Sequence, residues 1–374
     1  MKKLSGSGFF VICLMCFFSA KSMGFELANP KDSVGFIEQP VTINLMPGQN
    51  MKTLGRRLYL PIRYIGTDKV KLRVVFDTGS QGLILEAKSL LPASLVADTG
   101  IVFKDKDSLM LNGITVTRTK IKSSYGGTRS YYGNIAYAPI VIGDKMGQVR
   151  TKRMPFILVY HGVYDLTGKP AKVDQHCDGV AGVSSGGEMK TGSVFKRENI
   201  VSPFNYLSFG NRVEAGFILS PLDRVKWEGV YSMEGNSGQP LLTLGITEQA
   251  KKGFVLHRQM AGNGRFYPYV RGIISYSGVV ISPSYVLFDS GNPAGGVIYE
   301  PDKSKKGKME AGVAIRFVSD EGAIYDYAVN NSNYKTTLDA RKSKSVSIIG
   351  INFFLENSFM LNYASHTIGI KPVL

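Results

Sequence analysis

Phe76-Asp77-Thr78-Gly79-Ser80 is matched further along the chain by Phe288-Asp289-Ser290-Gly291-Asn292. Both copies sit between apolar runs. Leu72-Arg73-Val74-Val75 leads into the first and Leu83-Ile84-Leu85 follows it; Tyr285-Val286-Leu287 leads into the second, with Val297-Ile298-Tyr299 beyond. A carboxylate on a tight glycine turn between two buried strands, present twice, is the raw material of a paired-acid site. Two acids brought together do not both ionise, and that coupling is useful chemistry.

The 374 residues suffice for one large or two medium domains with substantial cores. Hydrophobic residues make up 44% and charged residues 20%, which is the composition of a folded globular chain. Forty-two glycines and short alternating runs of Val, Ile, Tyr and Phe favour many strands and turns over long helices.

Met1-Lys2-Lys3 is a positive n-region, and Phe9 to Ala20 is an apolar stretch too short to span a bilayer. With small residues at Ala20, Ser22 and Gly24, residues 1–24 read as a signal peptide for export. Cys13 and Cys16 follow bulky Ile12 and Met15, a poor context for lipid attachment. No later stretch is long and apolar enough for a membrane helix. Cleavage would leave Cys177 as the sole cysteine, so the exported domain is expected to stand without an internal disulfide. It would also lower the formal net charge of +16 by three. The remaining positive charge favours acidic partners or anionic envelopes. Its scatter (Arg56-Arg57, Lys104, Lys106, Lys251-Lys252, Lys303 to Lys308), with no nucleic-acid motif around it, argues against nucleic-acid binding.

Residues 25–56 read as an N-terminal extension or first strand. Strands then lead through Lys71 to Phe76 into the first turn. Ile114 to Ile121 and Ile135 to Ile142 flank the glycine-rich bend Tyr125-Gly126-Gly127-Thr128 as a hairpin. Leu241 to Gly245 closes a first half, and a shorter second half repeats the plan. The lobes are assigned to residues 57–247, carrying Asp77, and 248–374, carrying Asp289. Asn352 to Asn357 and Val194 to Asn199 are the best short helix candidates.

Five segments in this order resemble the pepsin-like aspartic proteases, from about residue 57 onward. They are Tyr59 to Ser80; the hairpin Tyr125 to Ser130 with Gly133-Asn134-Ile135 and Val141-Ile142-Gly143; Asp178-Gly179-Val180-Ala181-Gly182; Phe288 to Asn292; and Ile348-Ile349-Gly350 through Phe359 to Tyr363, ending at Ile368-Gly369-Ile370. The resemblance is to a divergent, bacterial-type member. It implies an all-β, bilobal acid-protease fold with a pseudo-two-fold axis and a cleft between the lobes. It also implies a monomeric endopeptidase acting on protein or peptide substrates, without cofactor or metal and without a large inhibitory propeptide. Asp77 and Asp289 would face each other and hold a water between them. One would draw a proton from it as it attacks the peptide carbonyl, while the other protonates the carbonyl oxygen.

The resemblance assigns supporting parts to the neighbours. Gly79 and Gly291 let backbone N–H groups reach the carboxylates. Thr78 and Ser290 bond across to the opposite loop, and Ser80 supports the outer oxygen of Asp77. Tyr125, Gly126 and Gly127 form the tip of a substrate-covering flap. There are two departures. Asn292 stands where the family has Thr or Ser, with an amide able to donate to a carboxylate. Ile84 stands where it has Trp. Both leave open a non-catalytic protein-binding module on the same scaffold, and basicity alone suggests an envelope-associated structural protein. A third Asp-Thr-Gly, Asp98-Thr99-Gly100, lacks the apolar frame and reads as a surface turn. His176-Cys177 lacks a second catalytic partner, Trp227 reads as core or cleft wall, and four His with one mature Cys fit a structural zinc site poorly. Export without disulfides points to a bacterial periplasmic or secreted protein.

Overall fold

Both Asp turns sit at the end of a long hairpin strand, and the same three-strand device surrounds each. The computed structural model describes residues 35–47, 57–125, 128–145, 147–173, 177–185, 200–222, 238–262, 265–302, 306–330, 335–340 and 346–372. Leu58–Ile65 pairs antiparallel with Asp68–Asp77. Between them the chain reverses at Gly66, whose positive φ of 62° suits glycine. After the turn comes Gln81–Glu86. Gly179–Val183 then inserts between the two arms, parallel to Asp68–Asp77 and antiparallel to Gln81–Glu86. The second half repeats this. Val279–Phe288 leads into the turn, Gly296–Tyr299 leaves it, and Val346–Ile349 lies between, parallel to the first arm and antiparallel to the second. Both inserted strands are hydrogen-bonded on both edges; Gly179–Val183 is buried throughout, while in Val346–Ile349 the buried Ser347 hydroxyl accepts from the Tyr299 N–H at 2.9 Å.

The chain is all-β, with no α-helix among the described residues. One sheet of sixteen strands takes in most of the first half. It also takes Val255–Arg258, Asn357–Asn362 and Thr367–Pro372, which pass back beside Glu214–Leu219. A second sheet of eight strands holds the Asp289 turn. Beneath the two turns a run of aromatic rings is continuous. Phe76 meets Phe217 edge-on at 5.5 Å between centroids, Phe217 reaches Phe359 at 6.3 Å, and Phe359 reaches Phe288 at 6.3 Å. Phe353 packs against Phe288 at 4.1 Å.

The expected hairpin is present, with Ile114–Tyr125 antiparallel to Arg129–Ala138. It ends earlier than read from sequence: Pro139 breaks it, and Ile140–Gly143 turns away to pair with Leu58–Ile65. The helix candidate at Asn352 to Asn357 is a one-turn 3-10 helix starting one residue sooner, Ile351–Leu355. Val194 to Asn199, His176 and Trp227 lie outside the described residues. Asp98 and Thr99 are exposed at the tip of a small two-stranded turn. Gln239–Ile246 is a strand, and Val41–Pro47 pairs with it. The Cys177 thiol donates to the Gly179 carbonyl at 3.1 Å. No helix among the described residues is long and apolar enough to cross a membrane.

One buried base makes this fold sensitive to acid. His257 is 1% exposed, with Nε2 2.8 Å from Ser319 Oγ and Nδ1 3.2 Å from the Ile368 carbonyl. Burial lowers its pKa below the ordinary 6.5, against the opposing pull of Glu321 and Asp320. The folded state thus binds a proton less readily than the unfolded chain. Its contribution to stability is whole above about pH 6.5 and is lost as pH falls from there through the lower folded value. Urea midpoints at pH 7 and pH 5 test this: the wild type loses more stability over that interval than His257→Gln.

Candidate active site

The two Asp turns are locked together by four reciprocal hydrogen bonds. Thr78 Oγ1 donates to the Phe288 carbonyl at 2.7 Å and accepts from the Ser290 N–H at 2.9 Å. Ser290 Oγ donates to the Phe76 carbonyl at 2.7 Å and accepts from the Thr78 N–H at 3.1 Å. Each hydroxyl reaches more than two hundred residues along the chain, and both side chains are buried. The glycines complete the clasp. A Cβ on Gly79 would lie 2.4 Å from Asp289 Cγ, and one on Gly291 would lie 2.6 Å from Asp77 Cγ. Each carboxylate therefore occupies the space above the other loop's glycine, and no side chain fits at either position.

The carboxylates share this frame but differ in their donors. Asp77 accepts from the Gly79 N–H at 2.8 Å on Oδ1 and from Ser80 Oγ at 2.5 Å on Oδ2. Asp289 accepts on Oδ1 from the Gly291 N–H at 2.9 Å and the Asn292 N–H at 3.1 Å. Asn292 thus supports Asp289 through its backbone. Its side-chain Oδ1 instead accepts from the Ala294 N–H at 3.1 Å, the local turn that Asn favours. The amide donation to the carboxylate expected from sequence is replaced by this contact, and Asp289 has no counterpart of Ser80. Burial, the adjacent Asp77 charge and a hydrogen bond to Asp77 hold the Asp289 pKa well above the carboxylate range, while the Gly291 N–H and Arg57 pull in the other direction.

Both acids open into a pocket of about 350 Å³. Val75 and Val180 line it on the Asp77 side, Val297 and Ile348 on the Asp289 side. Val75 is legible in retrospect, since it stands two residues before Asp77 on one strand and so shares its face. Arg57, Arg129 and Asp339 also line the pocket and carry no sequence motif that marks them. The backbone of Tyr125 ends a hairpin strand, while its side chain and Gly126-Gly127 lie outside the described residues. Ile84 is fully buried among Tyr59, Val75 and Tyr131.

An aspartic proteinase from Irpex lacteus has a solved structure that matches this chain with a TM-score of 0.57. The match covers 90% of this chain and 98% of that one, at 12% sequence identity. The chain has the bilobal pepsin-like fold. No family model matches the sequence, and no curated protein does. A likeness at 12% identity is a likeness of backbone, and it speaks for the fold.

The clasp has a measurable energetic signature. Ser290→Ala leaves the Phe76 carbonyl and the Thr78 N–H buried without their partner. The expected loss is about 1–3 kcal/mol of unfolding free energy, read from urea denaturation, with the larger effect in the double variant Thr78→Val/Ser290→Ala.

Proposed function

We propose that this chain is an aspartic endopeptidase whose working pair is Asp77 and Asp289. The observation that carries the reading is the reciprocal seating of each carboxylate over the other loop's glycine, with the Asp289 pKa held high. A pair so placed can hold one water between an accepting and a donating oxygen. Asp77, with a hydroxyl and an N–H donor stabilising its charge, takes a proton from that water. The water oxygen attacks the scissile carbonyl as protonated Asp289 donates to the carbonyl oxygen. Collapse of the gem-diol breaks the C–N bond: the amine leaves with the proton gained by Asp77, and one hydroxyl returns its proton to Asp289 as the product carboxyl forms.

The substrate is a protein or peptide segment in extended form. The Ile114–Tyr125/Arg129–Ala138 hairpin is suited to pair with it as a strand, and Tyr125, Gly126 and Gly127 are proposed as its covering tip. We further propose removal of residues 1–24 as a signal peptide, release to the periplasm or outside, a bacterial source, and lobes at residues 57–247 and 248–374 in a monomer. The second reading, a non-catalytic module that captures a protein in the cleft, is favoured by Asn292 turning its amide to Ala294 instead of to the dyad.

Incubation with a mixed peptide library from acid to neutral pH separates the two. Cleavage that disappears in Asp77→Asn and in Asp289→Asn, both folded, supports the protease; a wild type that binds peptides without cutting any leaves the module. Asn292→Ser tests the asymmetry. A hydroxyl donating to Asp289 favours its ionised form, so the alkaline limb of the pH–rate profile is expected to move toward acid.

A further inference from the structure

A second concavity, of about 700 Å³, opens against the Leu58–Ile65/Asp68–Asp77 hairpin and shares no lining residue with the dyad pocket. Its apolar surface comes from Met46, Pro61, Ile62, Leu72 and Pro240. Four cations surround that surface: Arg63, Lys71, Arg73 and Lys145. Lys71 and Arg73 alternate with buried Leu72, so both point outward from one strand, about 7 Å apart. Pro61, adjacent in register to Arg73, carries the surface across to Arg63 on the next strand. The one carboxylate among its described lining residues, Asp144, accepts from the Asn44 amide at 3.0 Å. Four cations against one anion repel one another across the groove, and an anionic ligand relieves that repulsion.

We propose that this groove binds the phosphate-bearing headgroup of an anionic lipid and so holds the protein at a membrane surface. The cations take the phosphate oxygens, and the apolar floor takes the glycerol and first methylenes. Inorganic phosphate would leave that floor uncovered. A single-stranded nucleic acid needs aromatic rings on which to stack its bases, and none is among the described lining residues. A peptide strand has no open edge on Leu58–Ile65, which pairs with Val41–Pro47, Asp68–Asp77 and Ile140–Gly143. The excess positive charge of the whole chain, formally +16, adds long-range attraction to an anionic bilayer. The proposal is independent of whether the dyad cleaves peptides.

Vesicle flotation of the full chain lacking residues 1–24 tests it, with phosphatidylcholine vesicles against vesicles containing about one-third phosphatidylglycerol. The wild type is expected to float with the anionic vesicles alone. The variant Arg63→Gln/Lys71→Gln/Arg73→Gln/Lys145→Gln should lose affinity on the order of a hundredfold. A control with the same charge removed elsewhere, Lys88→Gln/Lys104→Gln/Lys252→Gln/Arg258→Gln, should stay within about threefold of wild type. Urea midpoints verify that both variants fold. Equal loss in the two variants would show general charge attraction and overturn the groove. No flotation of the wild type, or full release by millimolar inorganic phosphate at constant ionic strength, would overturn the lipid assignment.

Discussion

Two carboxyl groups are held side by side, and the clasp between Thr78 and Ser290 is what makes that possible. Left alone, two buried carboxylates would separate or draw in water. Here the loops bearing them cannot part without leaving two backbone carbonyls and two N–H groups buried and unpaired. Below, Phe76 and Phe288 belong to a continuous run of rings through Phe217 and Phe359, so separation would also open an aromatic core. Above, the absence of a Cβ at Gly79 and Gly291 lets the acids come over the opposite loop. The inserted strands, Gly179–Val183 and Val346–Ile349, keep the arms of each turn at a fixed spacing.

Near-symmetry of the backbone does not extend to the chemistry it holds. One turn ends in Ser80, whose hydroxyl reaches the Asp77 carboxylate; the other ends in Asn292, whose side chain turns to Ala294. That single difference biases the pair. A charge on Asp77 is stabilised by a hydroxyl donor that a charge on Asp289 lacks, while burial and the neighbouring Asp77 raise the Asp289 pKa. The same near-symmetric frame therefore holds its two carboxyl groups in different settings, the difference on which the proposed division into acceptor and donor rests.

Much of this was legible in the chain. The two Phe-Asp turns and the apolar segments at Gly179 and Ile348 mark buried strands and tight glycine turns through local composition, and local composition suffices for them. Three things were not legible. The route of Asn357–Asn362 back to Glu214–Leu219 depends on which sheet edge is free, a property of the assembled fold. The contact of Asn292 depends on whether Ala294 presents an N–H within reach, and residue type alone leaves that open. Arg57, Arg129 and Asp339 enter the pocket from three separate places in the chain, so no window of sequence contains them together.

Two buried titrating groups give the molecule a bounded pH range from opposite directions. His257 must stay neutral to remain buried against Ser319 and Ile368, so acid taxes the fold. In the proposed reaction Asp289 donates a proton, so alkali would remove that role, and its raised pKa extends the range in which it could act. The first limit acts on the amount of folded protein and the second on the chemistry of each folded molecule. Under the proposed function the alkaline limb of a pH–rate profile moves with whatever touches the second turn, while acid also lowers the amount of folded protein through His257.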